Sequence, residues 1–235
     1  MKLKRTILSI FFPERCSICG EIKPFMKDYC PKCLIDTKAV PDSACKSCGH
    51  ENCICSQNIS LKLPHFSAVY YYQGQLKRSI HRYKFHSESS YADIFGRAMA
   101  EKIKGDYPDT VFDGVCFVPM TRSQIRKRGY NQGELLAREV ARILNLPLIP
   151  CLIKTKETPT QKTLTAKERQ ENLNESFSLD KKADINGRVL ILCDDIKTTG
   201  ATLRQCSDTL LSGGAKDVYC LTLALTPYLN STDIF

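Results

Sequence analysis

No run of this 235-residue chain approaches the roughly 18 consecutive apolar residues that a membrane-crossing helix needs, so a helical integral membrane protein is excluded. Neither an internal repeat nor a low-complexity tract is present, which sets repeat arrays aside. The four methionines are too few to suggest a function. There is no GxxxxGK[ST], so any phosphate chemistry does not use a Walker loop. Acidic residues fall short of basic ones, 25 against 34, which leaves a net charge of +9. That surplus favours polyanionic partners, whether phosphorylated metabolites, nucleic acid or an acidic membrane surface.

The length admits one domain with an appendage or two small ones. A hydrophobic share of 43% and a charged share of 25% suit a globular chain that buries its own core. The start imitates a secretion signal, with Lys2, Lys4 and Arg5 ahead of the apolar stretch Ile7 to Phe12. The stretch is short, runs into Pro13-Glu14-Arg15 and has no small-residue cleavage site before Cys16. It reads as a segment packed on the body, with contact at a membrane surface as the second reading.

Thirteen cysteines are present, and eight of them lie between Cys16 and Cys55. The other five, Cys116, Cys151, Cys193, Cys206 and Cys220, are scattered through apolar segments. An odd total, CxxC pairs and lone cysteines in strand-like runs point to a reducing cytoplasm and metal binding rather than a disulfide framework. Cys16 and Cys19 with Cys30 and Cys33 have the spacing that lets four thiolates converge on one zinc. Cys45 and Cys48 with Cys53 and Cys55 form a second set whose CxC departs from that spacing. There His50 is a candidate to replace one thiolate, partial metallation is an alternative, and cross-braced pairing of the four half-sites stays open. Four protein ligands leave no open position for chemistry, so the zinc is expected to be structural. Two such sites would lower the formal +9 to about +5.

From about Pro64 apolar runs alternate with amphipathic stretches. Strands are expected at Phe66 to Tyr72, Asp113 to Pro119, Leu148 to Ile153, Arg188 to Cys193 and Asp217 to Leu225. Helices are expected at Gln75 to Phe85, Tyr91 to Lys104, from Asn131 through Leu144, and Thr199 to Leu211. The alternation implies an α/β fold with a mainly parallel sheet covered on both faces. The polar stretch Lys154 to Phe177 is either a flap over a site or a solvated connection.

The most informative run is Val189 to Thr202, in which a buried strand ends in Asp194 and Asp195 and a hydroxyl- and glycine-rich turn leads into a helix. Such a turn aims backbone N–H groups and the positive end of a helix at a phosphate, Gly200 permits close approach, and the threonines add donors. The two carboxylates suit the vicinal hydroxyls of a ribose.

This run resembles the PRPP-binding motif of type I phosphoribosyltransferases. The resemblance implies Asp194 and Asp195 at the ribose and Lys197, Thr198, Thr199, Gly200, Ala201 and Thr202 at the 5′-phosphate. The wider chain resembles the ComF family, phosphoribosyltransferase-like proteins associated with DNA uptake in natural competence. Beside the cysteine module, Tyr72-Gln73-Gly74-Gln75-Leu76, Ile80-His81-Arg82-Tyr83-Lys84-Phe85 and Val118-Pro119 carry it. Arg128-Gly129-Tyr130-Asn131-Gln132, Thr158-Pro159-Thr160-Gln161, Arg169-Gln170-Glu171-Asn172 and Phe177 continue it. It implies a type I phosphoribosyltransferase-like sheet behind an N-terminal zinc-binding module, with Pro119 to Arg122 beside the pyrophosphate. Purine-using transferases carry an acidic residue where this chain has Lys197 or Thr198, and no general acid or base for the leaving group is evident.

Arg122, Arg126, Lys127 and Arg128 place four cations in seven residues ahead of Tyr130 and Asn131. A basic groove with stacking aromatics suits single-stranded nucleic acid. The cluster suits the pyrophosphate of PRPP equally, and a solvated basic face is the third reading. Lys84, with Lys77, Arg78 and Arg82, lies on an expected helix as a further candidate for pyrophosphate or nucleic acid. His81 reads as a packing residue more readily than as a catalyst. Of Tyr70, Tyr71 and Tyr72, at least one belongs in the core.

The expected division is residues 1–63 as the zinc-binding module and 64–235 as the phosphoribosyltransferase-like domain. The expected role, by resemblance, is the handling of incoming single-stranded DNA during natural transformation, with PRPP or another phosphoribosyl ligand in the turn. The alternative is an active Mg–PRPP-dependent transferase acting on a base or small acceptor. Expected cofactors are one or two structural zinc ions, and magnesium with PRPP. Expected partners include a competence helicase or DNA-translocation protein, in the cytoplasm or at the inner face of the membrane.

Overall fold

The computed structural model describes residues 15–24, 27–53, 55, 62–85, 91–155 and 176–227. The signal-like start, the runs at 158–161 and 169–172 that carry part of the resemblance, and most of the expected flap lie outside the described residues.

Four strands form one sheet, all parallel: β1 (His65–Tyr71), β2 (Gly114–Phe117), β5 (Val189–Lys197) and β6 (Asp217–Leu225). Their order across the sheet is β1-β6-β5-β2. Strands buried on both faces read as continuous apolar runs, and β5 and β6 do so through Leu190 to Cys193 and Val218 to Leu225. A separate antiparallel pair joins β3 (Leu152–Lys154) to β4 (Phe177–Leu179).

One face of the sheet is covered by α2 (Gly74–Phe85), α3 (Tyr91–Asp106) and α5 (Gln132–Leu144). Leu76, Ile80, Phe95, Met99, Leu136 and Val140 fill this side. The other face takes α6 (Ala201–Ser212), through Leu203, Cys206 and Leu210, together with Phe66, Leu190 and Leu192. The doubly covered parallel sheet expected from the alternating pattern is therefore present. The five scattered cysteines are free and buried, as small hydrophobes. Burial pushes the Cys220 thiol up to about 12, which keeps it protonated and inert.

Three features were not among the expected elements. The strand before the turn runs to Lys197 rather than stopping at Cys193, because pairing with β6 continues to Lys197 opposite Leu225. The basic cluster is helical, α4 (Arg122–Arg128), held at its start by Thr121 and Gln124 in a reciprocal capping box and closed by Gly129 at φ 85. The segment from Leu148 yields only an isolated bridge to Val115 before β3 begins at Leu152.

The cysteine module straddles the edge of the sheet. Between its two halves, residues 38–40 run antiparallel to the edge strand β1: Val40 N–H donates to the Val69 carbonyl and Tyr71 N–H to the Lys38 carbonyl, both at 2.9 Å. An open edge is an aggregation hazard, and here the chain covers it with its own linker. Before this linker the module includes α1 (Pro31–Asp36) and packs on the α2 and α3 side; after it, Ala44 and Leu63 pack on the other side.

Candidate phosphate site and metal centres

The carboxyl ends of β5 and β2 lie side by side, with Val118 N–H donating to the Cys193 carbonyl at 3.0 Å. In open α/β sheets that end, where the strand order reverses, is the usual ligand position. From β5 the chain turns through Thr198, Thr199 and Gly200 into α6. Gly200 is the N-cap at φ 80 and supplies no side-chain cap; Thr199 Oγ1 accepts from Ala201 N–H at 3.4 Å, and a helix start of this kind suits an incoming anion. The turn forms a cavity of 40 Å³ lined by Asp194, Ile196 and residues 197–203. Sites that engulf a whole small molecule run to roughly 300–1,000 Å³. This one fits a single anionic group, with the rest of a ligand outside.

Asp194 borders the cavity and Asp195 does not; both are half-buried, and Asp195 N–H donates to Asp194 Oδ1 at 2.8 Å. The Lys197 side chain does not reach toward an anion in the turn. It is 1% exposed, and its Nζ donates to the Cys48 carbonyl at 2.9 Å and lies 4.9 Å from the Phe66 ring centre. Strict alternation would set Lys197 on the side of Ile191 and Cys193; instead Ile196 packs on that side, the alternation breaks between Cys193 and Ile196, and Lys197 faces Phe66. Burial lowers its pKa, against the opposing pull of the Cys48 and Cys55 thiols. His50, buried nearby, is held down to about 4 by burial and by Lys197, and is therefore neutral.

The basic residues start from the same end of the sheet. Arg122, Arg126 and Lys127 are exposed, and α4 has no buried residue. Arg128 is half-buried and donates to Gln132 Oε1 at 3.4 Å. None of these four, nor half-buried Tyr130, lines the turn's cavity. Asn131 caps α5, accepting from Glu134 N–H, and its amide donates to the Val118 carbonyl at 3.0 Å, which fixes the loop after α4 over the ends of β2 and β5. Lys84 is on α2, His81 is exposed on the same helix, and Tyr71 is the core member of its tyrosine run.

All eight N-terminal cysteines come together as two groups, each with its sulfurs within 4.8 Å of one another. Cys16, Cys19, Cys30 and Cys33 form the first; Cys45, Cys48, Cys53 and Cys55 form the second. The pairing follows chain order rather than a cross-brace, and His50 is not among the ligands. Zn–S bonds of about 2.3 Å in a tetrahedron put the sulfurs about 3.8 Å apart. Cys19 and Cys30 are 3.6 Å apart, Cys45 and Cys55 3.9 Å, and Cys53 and Cys45 3.4 Å, so both groups fit tetrahedral zinc. Burial pushes the Cys16 thiol up, yet the backbone N–H groups of Cys19, Cys30 and Ile18 outweigh it and bring it to about 7. Cys45 reaches about 7 by the same balance, through Cys48 and Ser47. Each group thus contains a thiol prepared to ionise.

Two contacts on the module had no sequence signal. Arg82, expected on a basic helix surface, donates to the Ile18 carbonyl at 2.5 Å and the Cys19 carbonyl at 3.3 Å, clamping the first knuckle. Asp106, at the end of α3, receives Lys46 from the second knuckle at 2.5 Å.

Residues 131–230 match the model of the phosphoribosyl transferase domain, and residues 7–61 that of the double zinc ribbon domain. The fold and the two sulfur groups therefore define a phosphoribosyltransferase-type α/β domain carrying a double zinc ribbon. Competence protein F of Haemophilus influenzae is 29% identical over 229 residues, covering 91% of this chain and 98% of its own. DNA utilization protein YhgH of Escherichia coli strain K12 is 28% identical over 218 residues, covering 89% and 90%. Competence protein ComFC of Bacillus subtilis is 29% identical over 214 residues, covering 86% and 85%. Over most of its length the chain is thus similar to competence protein F, YhgH and ComFC.

Proposed function

We propose that the chain handles single-stranded DNA in a competence-related process and that its turn at Thr198–Thr202 holds a phosphoribosyl phosphate, with PRPP as the test ligand. The observation that carries this reading is the glycine-led start of α6, bordered by Asp194 at the carboxyl end of a parallel strand. Backbone N–H groups and the helix dipole would take the 5′-phosphate. The carboxylates of Asp194 and Asp195 would accept from the ribose hydroxyls. Magnesium accompanying PRPP would neutralise charge on the pyrophosphate, next to the acidic pair that can accept its water ligands. The names of the relatives, competence protein F and DNA utilization protein, support the DNA role. The exposed Arg122, Arg126 and Lys127 on α4 supply a backbone-binding surface at the same end of the sheet. In this reading residues 1–63 form the zinc module and 64–235 the ligand-binding domain. No described helix is long and apolar enough to cross a membrane.

Two measurements test it. Asp194→Asn with Asp195→Asn should weaken Mg–PRPP binding in calorimetry by more than about tenfold, the loss of charge-assisted hydrogen bonds, while the circular dichroism spectrum is unchanged. Affinity equal to the parent's would remove the ribose assignment. Anisotropy of a labelled single strand, titrated at several salt concentrations, should show a shallower salt slope for Arg126→Ala, Lys127→Ala, Arg128→Ala combined. An unaltered slope moves the DNA surface off α4. Pyrophosphate release from Mg–PRPP with any base of a panel would replace the DNA-handling reading by transfer chemistry.

A further inference from the structure

We infer that Lys197 is a positioning residue that couples the second cysteine centre to the phosphate turn, so that metal held by Cys45, Cys48, Cys53 and Cys55 sets the geometry of that turn. The inference deepens the phosphoribosyl reading and rests on it only for the identity of the ligand.

Lys197 is the last residue of β5, and the next three residues are the turn. Its stem runs beneath Gly200: a Cβ placed on that glycine would lie 2.9 Å from Lys197 Cε. The floor of the turn is thus a methylene chain, and its far end is pinned by the Cys48 carbonyl and the Phe66 ring. The knuckle that pins it has little freedom of its own. Gly49 sits at φ +84, where a Cβ would come within 2.4 Å of the same Phe66 ring and 2.9 Å of Leu225. Phe66 N–H donates to the Lys46 carbonyl at 2.7 Å, and Leu63 N–H to the Ser47 carbonyl at 3.0 Å. A shift of the knuckle moves Phe66 and Lys197 together, and a shift of Lys197 removes the support under Gly200.

Charge reinforces the geometry. A buried ammonium needs compensation, and one carbonyl and one ring supply only part of it. Four thiolates on a divalent zinc supply about two negative charges beside it. Metal at the second centre therefore holds Lys197 in place, and by reciprocity whatever the metal does for the turn, an occupied turn does for the metal. The first centre provides the control. Cys16, Cys30 and Cys33 belong to the opposite core with Leu76, Ile80 and Phe95, away from the Lys197 face.

The test follows zinc transfer from the full chain to a chromogenic chelator, with alkylation of cysteines read by mass spectrometry to assign each phase to a centre. Lys197→Met keeps the stem and removes the charge. It should speed release from the second centre by at least about fivefold, the low end of ordinary coupling, and leave the first centre's rate unchanged. Lys197→Arg should lie nearer the parent. In hydrogen exchange, amides of the turn should exchange faster in Lys197→Met. An unchanged second-centre rate, or equal acceleration of both centres, overturns the coupling. Should Lys197→Met fail to fold, the parent chain stripped of second-centre zinc alone must show faster exchange at the turn; unchanged exchange overturns the inference. Mg–PRPP should slow release from the second centre of the parent. Failure of PRPP to bind at all in calorimetry defeats the phosphoribosyl reading, while the chelator and exchange results still decide the coupling.

Discussion

The first cysteine centre is built into the helical side of the sheet, where Cys16, Cys30 and Cys33 are no more than 9% exposed and α2 donates into its knuckle through Ser79 and Arg82. The second lies across the edge strand, with Cys53 exposed and Cys45 and Cys55 half-buried. Both are four-thiol groups of similar geometry. Their surroundings, rather than their ligands, separate them. Around the first, apolar side chains pack against the sulfurs; around the second, the Cys48 carbonyl meets Lys197 at the carboxyl end of β5 and Lys46 meets Asp106 on α3.

The largest expected effect breaks that comparison at the ligands. Cys33→Ser should lose one zinc equivalent and lower the melting temperature by about 10 °C or more, because loss of a structural metal costs several kcal/mol and each costs a few degrees in a chain of this size. Cys53→Ser should lose one equivalent too, with less than half that fall. Zinc analysis and thermal unfolding of the two variants decide it. Equal falls would mean that the second centre is as much a part of the core as the first.

The ligands of this difference were legible in the sequence and the difference itself was not. CxxC spacing brings sulfurs together through short local loops, so even the shortened Cys53-Ile54-Cys55 pair joined the group expected for it. Which face of the sheet each group meets depends on residues 38–40 crossing the edge of β1, a tertiary event with no local pattern. The glycine and threonines of the turn were legible because a phosphate loop demands particular backbone freedom. The destination of Lys197 was not, since its partner Cys48 lies 149 positions away. One shorter-range signal was present, and one local pattern pointed the wrong way. Thr121 and Gln124 have capping-box spacing, overshadowed by the charge of Arg122 to Arg128. Asp194 and Asp195 are poor strand formers, so the strand was expected to stop before them, although pairing with β6 carries it through both.

A smaller effect sharpens the comparison at the clamp. Asp106 is 2% exposed in its side chain and gathers Lys46 at 2.5 Å, Lys102 at 3.1 Å and Ser67 Oγ at 2.5 Å. Lys102 is itself only 11% exposed. Lys102 keeps Asp42 at 2.7 Å and the Lys46 side chain is 37% exposed, so Asp106→Asn leaves neither cation bare and should cost about 2 kcal/mol in urea unfolding, the loss of charge-assisted hydrogen bonds. Lys46 stands between Cys45 and Cys48, so the same variant should speed zinc loss from the second centre and spare the first. Lower stability with both zinc rates unchanged would show that the clamp holds α3 and not the knuckle.

The smallest effect concerns the linker between the centres. Lys38 meets Glu51 at 3.5 Å, with side chains 59% and 47% exposed, and lies 5.0 Å from the Tyr71 ring centre. A pair this wet is screened by salt and adds little. What holds the linker to the sheet is backbone, the Lys38 carbonyl accepting from Tyr71 and Val40 donating to Val69, and neither bond depends on the lysine side chain. Lys38→Ala should therefore change stability by no more than about 0.5 kcal/mol, with the same value at low and high salt. A loss above about 1 kcal/mol that vanishes in salt would mean that the ion pair, rather than the covered strand edge, keeps the two centres on their separate faces.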